Sequence, residues 1–299
     1  MMKDPKKINE LISAALAIET EEAKEAGKIG YMARSLVQAT MPHRKTEEYE
    51  FKRTNGVFSL SMLAPSDVGL PYGSIPRVLL TWLTSEAVRT KERELVLGDS
   101  LSDFMRQLGM VPTGGRWGSI TRLRDQMQRL FSCFISCTYT DDELTARKNI
   151  LIADESRLWW MPQSPEQVQL FQSTVTLSQK FFEEVTENPV PIDLRAIKAL
   201  QKSPLALDVY CWLTYRMSYL RKPVVIPWEA LELQFGADYK LTRQFKAAFL
   251  EQLKKVSQVY PAANLQAETK GLLLKPSKTS ISKTKIYIPN GVPVDKNEE

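Results

Sequence analysis

The stretch that decides the fold is Leu101-Ser-Asp-Phe-Met-Arg-Gln-Leu-Gly-Met-Val-Pro-Thr-Gly-Gly-Arg-Trp-Gly-Ser-Ile-Thr-Arg-Leu-Arg-Asp-Gln-Met-Gln-Arg-Leu-Phe131. Ser100, just before it, is a helix-capping side chain, and Asp103 three residues on completes a weak capping box. Gly109 is a natural left-handed terminator for that short helix. After a glycine-rich loop, Ile120, Leu123, Met127, Leu130 and Phe131 recur at i, i+3, i+7, i+10 and i+11, which predicts a longer amphipathic helix over 119–131. Arg122, Gln126 and Arg129 are expected to share its opposite face, with Arg116 and Arg124 nearby.

Working outward, residues 77–88 read as a mostly buried helix carrying Val78, Leu79, Leu80, Trp82, Leu83 and Ala87, and 94–97 as a short strand. Downstream the period switches to two, predicting strands over 134–139, 150–158 and 167–177, with a charged tip at Asp141, Asp142, Glu143, Arg147 and Lys148. Trp159-Trp160 reads as core or strand packing. Three helices followed by strands is the order of a winged-helix domain. Upstream, Asn55-Gly56 suits a tight hairpin within 51–63. Residues 10–26 are rich in Ala and Glu and read as a helical arm: free, dimerising, or laid on the next domain.

The second half repeats the order. Helices are predicted over 193–200, 205–220, 226–236 and 238–259, with Pro227 at a helix start and Gly236 ending its helix. Strands follow over 265–270, 271–274 and 284–288. The expected architecture is α+β: an arm (1–50), two tandem winged-helix domains (51–188 and 189–292) and a loose tail (293–299).

Composition narrows the function. An apolar fraction of 43% supports real cores in 299 residues. Three cysteines are too few for a disulfide framework, and with His43 as the single histidine there is no zinc ligand set and no histidine cluster for a nicking centre. Carboxylate pairs such as Asp141-Asp142 and Glu183-Glu184 read as solvated faces. No apolar run approaches membrane-spanning length, and the first residues lack a signal-peptide core, so a cytoplasmic, cofactor-free, non-enzymatic protein is expected. Thr113–Ser119 lacks the Gly-Lys-Ser/Thr ending of a nucleotide loop.

Charge is polarised. Residues 240–290 hold ten Lys or Arg against two acids, a balance of +8, while the whole chain is +5. The second helix of a helix-turn-helix enters the major groove, where Arg reads guanine and Gln reads adenine. The candidate DNA contacts are therefore Lys240, Thr242, Arg243, Lys246 and Lys254 on the last long helix, with Lys275 and Lys278 beside the strands. In the first half they are Arg116, Trp117, Arg122, Gln126 and Arg129. Trp117 is expected to be half core and half contact.

Four stretches, Gly69–Arg77, Leu83–Lys91, Leu97–Met105 and above all Thr113–Met127, resemble the plasmid-encoded replication initiators of the RepA type. The resemblance covers about residues 60–290. It implies a protein that binds directly repeated sites in double-stranded origin DNA, helps open an adjacent AT-rich segment and recruits host replication proteins such as a helicase or initiator. It also implies that Arg243 and Lys246 are recognition-helix contacts, and that Arg116, Arg122 and Arg129 are first-domain contacts or interface residues. The alternative within the same fold is a homodimeric transcriptional repressor on a palindrome.

Overall fold

A computed structural model of the chain describes residues 5–98, 100–158, 173–236, 239 and 241–281. Lys240, the Trp159-Trp160 pair and the strand expected over 284–288 lie outside them. The first element is helix α1 (Pro5–Thr20), followed by strand β1 (Ile29–Met32) and a short helix α2 (Arg34–Gln38). Strands β2 (Glu50–Asn55) and β3 (Phe58–Leu63) form the expected antiparallel hairpin.

Helix α3 (Ser74–Thr90) buries Val78, Leu79, Leu80, Leu83 and Ala87 in a core continuous through the molecule. Strand β4 (Glu94–Val96) leads to α4 (Leu101–Gln107), whose cap forms as the sequence implied. Ser100 Oγ accepts from the Asp103 amide at 3.1 Å and donates to the Asp103 carboxylate at 2.6 Å. Gly109 sits at φ +68°, and the Met110 amide closes back on the Met105 carbonyl. Helix α5 (Ser119–Ser132) then buries Leu123, Met127, Leu130 and Phe131.

Beyond α5 the strands depart from expectation. Strand β5 (Phe134–Thr140) pairs with β3 and with β6 (Thr145–Leu151), giving a four-stranded antiparallel sheet in the order β2-β3-β5-β6. The segment expected as one strand over 150–158 is two. After β6 the chain crosses into β7 (Ala153–Arg157), which pairs with β8 (Thr174–Leu177) in a separate sheet ordered β4-β8-β7. Burial marks the crossing: Ile150 is buried and Leu151 exposed, but Ile152 and Ala153 are both buried, so the alternation loses its phase. The charged tip is shorter than expected. Asp141 turns the chain by accepting from the Glu143 and Leu144 amides, while Arg147 and Lys148 lie on β6.

Helix α6 (Gln179–Glu187) packs on α3, and β9 (Val190–Asp193) pairs antiparallel with β1. Next come α7 (Leu194–Leu200), α8 (Pro204–Tyr219), β10 (Val224–Pro227), α9 (Trp228–Phe235), α10 (Thr242–Val259), β11 (Leu265–Ala267) and β12 (Gly271–Leu274). Ile226 and Pro227 therefore belong to a strand rather than to the predicted helix, and α10 begins four residues later than expected. The last sheet has the order β10-β12-β11.

The two halves share one pattern. With β5 and β6 set aside as an insertion after α5, α3-β4-α4-α5-β7-β8 and α8-β10-α9-α10-β11-β12 each run helix, strand, helix, helix, strand, strand, and each of their sheets places its third strand between the first and second. This mixed α+β arrangement with open sheets is consistent with winged-helix-like domains. An aromatic cluster fixes α10 on α9: Phe235 to Phe249 at 5.7 Å, Phe245 to Phe249 at 5.5 Å and Trp228 to Phe249 at 6.1 Å between ring centroids. Gly236 serves this packing and not a left-handed turn. Its φ is −113°, and a Cβ there would stand 2.6 Å from the Phe245 ring.

The arm is neither free nor laid on the neighbouring half. Helix α1 packs on α7 and α10, with Leu11 buried and Ala14 and Ile18 against the core. Arg195 of α7 closes its end by donating to the Ala17 and Glu21 carbonyls at 2.7 and 2.9 Å.

Candidate nucleic-acid interface

Helix α5 enters from a loop that is fastened to itself. Ser119 Oγ accepts from the Thr113 amide at 2.8 Å and donates to the Val111 carbonyl at 2.7 Å, while Thr113 Oγ1 accepts from the Ser119 amide at 2.9 Å. Thr121 Oγ1 and the Gly118 amide both donate to the Gly115 carbonyl at 3.0 Å. Gly115 has φ +88°, and a Cβ at Gly118 would fall 2.2 Å from the Thr113 carbonyl oxygen, so the loop requires glycine at both places.

Two side chains stand on this loop. Trp117 is 81% exposed, which corrects the expectation of a half-core residue, and the Arg116 guanidinium lies 5.2 Å from the centre of its ring. Arg122, on the first exposed turn of α5, has no hydrogen-bond or ion-pair partner among the described residues.

The shared exposed face expected for Arg122, Gln126 and Arg129 is not there. Gln126 is 3% exposed, and its Oε1 accepts from the Tyr72 amide at 2.8 Å. Arg129 is held by Asp125 at 2.9 Å and lies over the Tyr72 ring at 5.6 Å. The segment leading into α3 covers that side of α5, and polarity alone could not distinguish a solvent face from a covered one.

Arg122 and Gln126 instead line an open cleft of about 1060 Å³, walled by Tyr72 and Gly73, by Glu10 and Ala14 of α1, by Arg195 and Lys198 of α7, and by Lys202 in the turn after it. The stem of Lys198 lies close over Gly109, which brings α7 against the turn between α4 and α5. Sequence reading predicted the helix over 193–200 but gave its basic side chains no role. The i, i+3 spacing of Arg195 and Lys198, with Lys202 just beyond the helix, was the available signal.

On α10, Arg243 is exposed in the first turn with no partner among the described residues, and so is Lys254 further along. Lys246 is half-buried. Its Nζ sits 4.5 Å over the Trp228 ring and donates to the Glu268 carbonyl at 3.3 Å, a carbonyl that also accepts from Trp228 Nε1 at 3.1 Å. Lys246 therefore ties α10 to the tip between β11 and β12. Thr242 Oγ1 donates to Glu232 at 2.6 Å, bracing the turn between α9 and α10. Lys275 is half-buried beside β12, and Lys278 pairs with Glu22 beyond the arm helix at 2.9 Å. Lys270, exposed at the β11–β12 tip, adds a positive charge beside α10. Of the candidates on this half, Arg243 and Lys254 are open to a ligand, whereas Thr242, Lys246 and Lys278 have intramolecular partners.

Among the described residues no group of three His, Cys, Asp or Glu side chains is placed to hold a metal, and no helix is long and apolar enough to cross a membrane. Burial pushes the Cys133 and Cys137 thiols up to about 12, so neither is a thiolate at neutral pH.

The chain is thus a mixed α+β protein with open sheets, consistent with winged-helix-like domains, that carries exposed basic side chains at the starts of α5 and α10. Residues 70–230 match the family described as plasmid-encoded RepA protein, and the chain belongs to that family. In fold it is similar to the crystal structure of domains 2 and 3 of RctB (a selenomethionine derivative), with TM-score 0.53 and 12% identity over 83% of this chain and 99% of that one. A second crystal structure of RctB domains 2–3 aligns with TM-score 0.48 and 13% identity, over 81% of this chain and 96% of that one. No curated protein matches the chain in sequence.

Proposed function

We propose that this chain is a plasmid replication initiator that recognises repeated sites in double-stranded origin DNA through two winged-helix domains. Membership of the plasmid-encoded RepA family supports the replication role. The observation that carries the DNA reading is the repeated topology, and in this reading α5 and α10 are the second helices of two helix-turn-helix units. In this reading Arg243 selects a base edge from α10, while Lys254, Lys270 and Lys275 neutralise phosphates beside it. Arg116, Trp117 and Arg122 meet the duplex from the first domain, and Lys198 extends that footprint along the cleft. Gln126 and Arg129 drop out as direct contacts because their hydrogen bonds are already made inside the protein.

The mechanism is assembly, with no bond made or broken. Phosphate contacts give salt-dependent affinity, base contacts choose the repeat, and two linked reading heads raise local concentration at adjacent grooves. Several copies on tandem repeats bend and underwind the neighbouring duplex, where host replication proteins then load.

Footprinting of the purified chain across its plasmid's origin tests this. Protected direct repeats, with permanganate-reactive thymines in an adjacent AT-rich segment, are the expected result. Protection of a single palindrome by a dimer, without strand opening, would overturn initiation in favour of repression.

A further inference from the structure

Trp117 is the most exposed large apolar side chain among the described residues at 81%, and Val111 on the same loop follows at 77%. An indole in water is unfavourable, and tryptophan is among the side chains most covered on average in folded proteins. Here the exposure does not come from a loose loop. The hydrogen bonds between Thr113 and Ser119, the Gly115 carbonyl bridge and the backbone contact at Gly118 hold the ring out on a preformed support. A ring presented in this way loses little freedom on docking.

The surroundings indicate what docks. Between Asp103 and Asp125 the chain carries Arg106, Arg116, Arg122 and Arg124 and no acidic residue, and of these Arg106 is paired with Asp103. Arg116 lies against the ring at 5.2 Å, and Arg122 opens one turn further on. One guanidinium against the ring and a second exposed on the first turn of the helix that follows match a polyanion with flat, stackable groups. A nucleic acid offers both, its phosphates to the arginines and a base face to the indole.

We infer that Trp117 is a stacking wedge: its indole packs on a base unstacked from its neighbour at the edge of the duplex segment under α5, and the step kinks there. The inference rests on the DNA-binding reading and adds to it a defined deformation site at a residue that reads no base edge. Apolar side chains that enter a base step in this way bend the duplex and bring more protein surface onto it.

The test uses the full chain and a duplex that the wild-type protein recovers from a randomised pool, with 2-aminopurine placed in turn at each adenine. Wild-type protein is expected to raise the emission at one position and to bend the duplex in circular-permutation gels. Trp117→Ala is expected to lose both signals and to weaken binding by roughly 10- to 100-fold, the range for one base–aromatic stack. Trp117→Phe keeps most of the emission rise.

A Trp117→Ala protein that bends the duplex and raises the emission as wild type does would overturn the wedge and leave the DNA reading standing. Trp117-dependent binding confined to single strands would overturn it too. If the wild-type chain recovers no duplex at all, the DNA reading fails and the wedge with it.

Discussion

Arg77 and Asp208, 131 residues apart in sequence, meet as a bidentate pair inside the protein, with Nε to Oδ1 and Nη2 to Oδ2 both at 2.7 Å. Arg77 lies on the first helix of one unit and Asp208 on the first helix of the other. The remaining guanidinium protons go to the Gly73, Pro42 and Met41 carbonyls at 2.7, 3.2 and 2.8 Å, so all five donors are satisfied in a side chain only 2% exposed. His43 Nε2 joins Asp208 Oδ2 at 2.7 Å. The strap over residues 38–43 is thus pinned to both units, since Thr40 Oγ1 also donates to the Gln234 carbonyl and Gln234 to the Gln38 carbonyl.

This pair predicts an asymmetric mutational response. Asp208→Ala leaves a buried guanidinium without its counter-charge and should lower the unfolding free energy by about 3–5 kcal/mol in urea titrations. The double substitution Arg77→Met with Asp208→Leu removes both charges and should recover a large part of that loss. A double variant as unstable as Asp208→Ala alone would show that the carbonyl contacts, and not the charge pair, hold the strap.

The same cluster predicts a pH dependence. Burial drives the His43 pKa below its ordinary 6.5, aided by Arg77 and Arg53 and opposed by Asp208. Burial pushes Asp208 upward, but Arg77 and His43 together hold it below the ordinary 3.8. For His43 the unfolded chain binds the proton more readily, so its contribution is fully present above pH 6.5 and declines as pH falls below that value. Asp208 contributes above pH 3.8 and is lost only as pH falls through its depressed folded value. Urea midpoints from pH 8 to pH 5 should therefore fall in wild type and fall less in His43→Gln. Parallel curves for the two proteins would remove His43 as the source.

Local signals carried much of the fold. The Ser100 cap, the Gly109 stop and the apolar stripe of α5 were readable because each depends on residues within a few positions of one another. The β10 strand was not readable. Four residues ending in Ile226-Pro227 resemble a helix lead-in until β12 is known to pair with them. Gln126 and Lys246 failed as open contacts for the same reason: the covering groups, Tyr72 in one case and Trp228 with the Glu268 carbonyl in the other, are brought near only by the tertiary fold. Trp117 erred in the opposite direction, because an apolar residue beside a helix start is assigned to the core by default.

Arg243 and Lys246 separate recognition from support. Arg243→Ala should reduce affinity for the specific repeat by about 1–3 kcal/mol in gel shifts while barely changing stability. Lys246→Ala removes the cation–π contact with Trp228 and the tie to residue 268, so it should mainly loosen the β11–β12 tip, seen as faster amide exchange at residues 265–272. Equal losses of affinity with no change in exchange would make Lys246 a direct contact as well.

Gly118 gives the sharpest test of the loop's rigidity. A Cβ there would stand 2.2 Å from the Thr113 carbonyl oxygen and 2.4 Å from that of Gly114, both backbone atoms that cannot swing aside as a side chain would. Gly118→Ala must therefore open the turn and break the Thr113–Ser119 hydrogen bonds at the start of α5, at a cost of about 1–3 kcal/mol for backbone strain. Gly114→Ala, with nothing within 4 Å of its added carbon, is the matched control and should be close to neutral. If the loop is the support on which Arg116 and Trp117 are presented, Gly118→Ala also weakens duplex binding, while Gly114→Ala binds as wild type. An unfolding midpoint for Gly118→Ala equal to that of Gly114→Ala would mean the loop relaxes freely, and its fixed presentation of the indole would have to be abandoned.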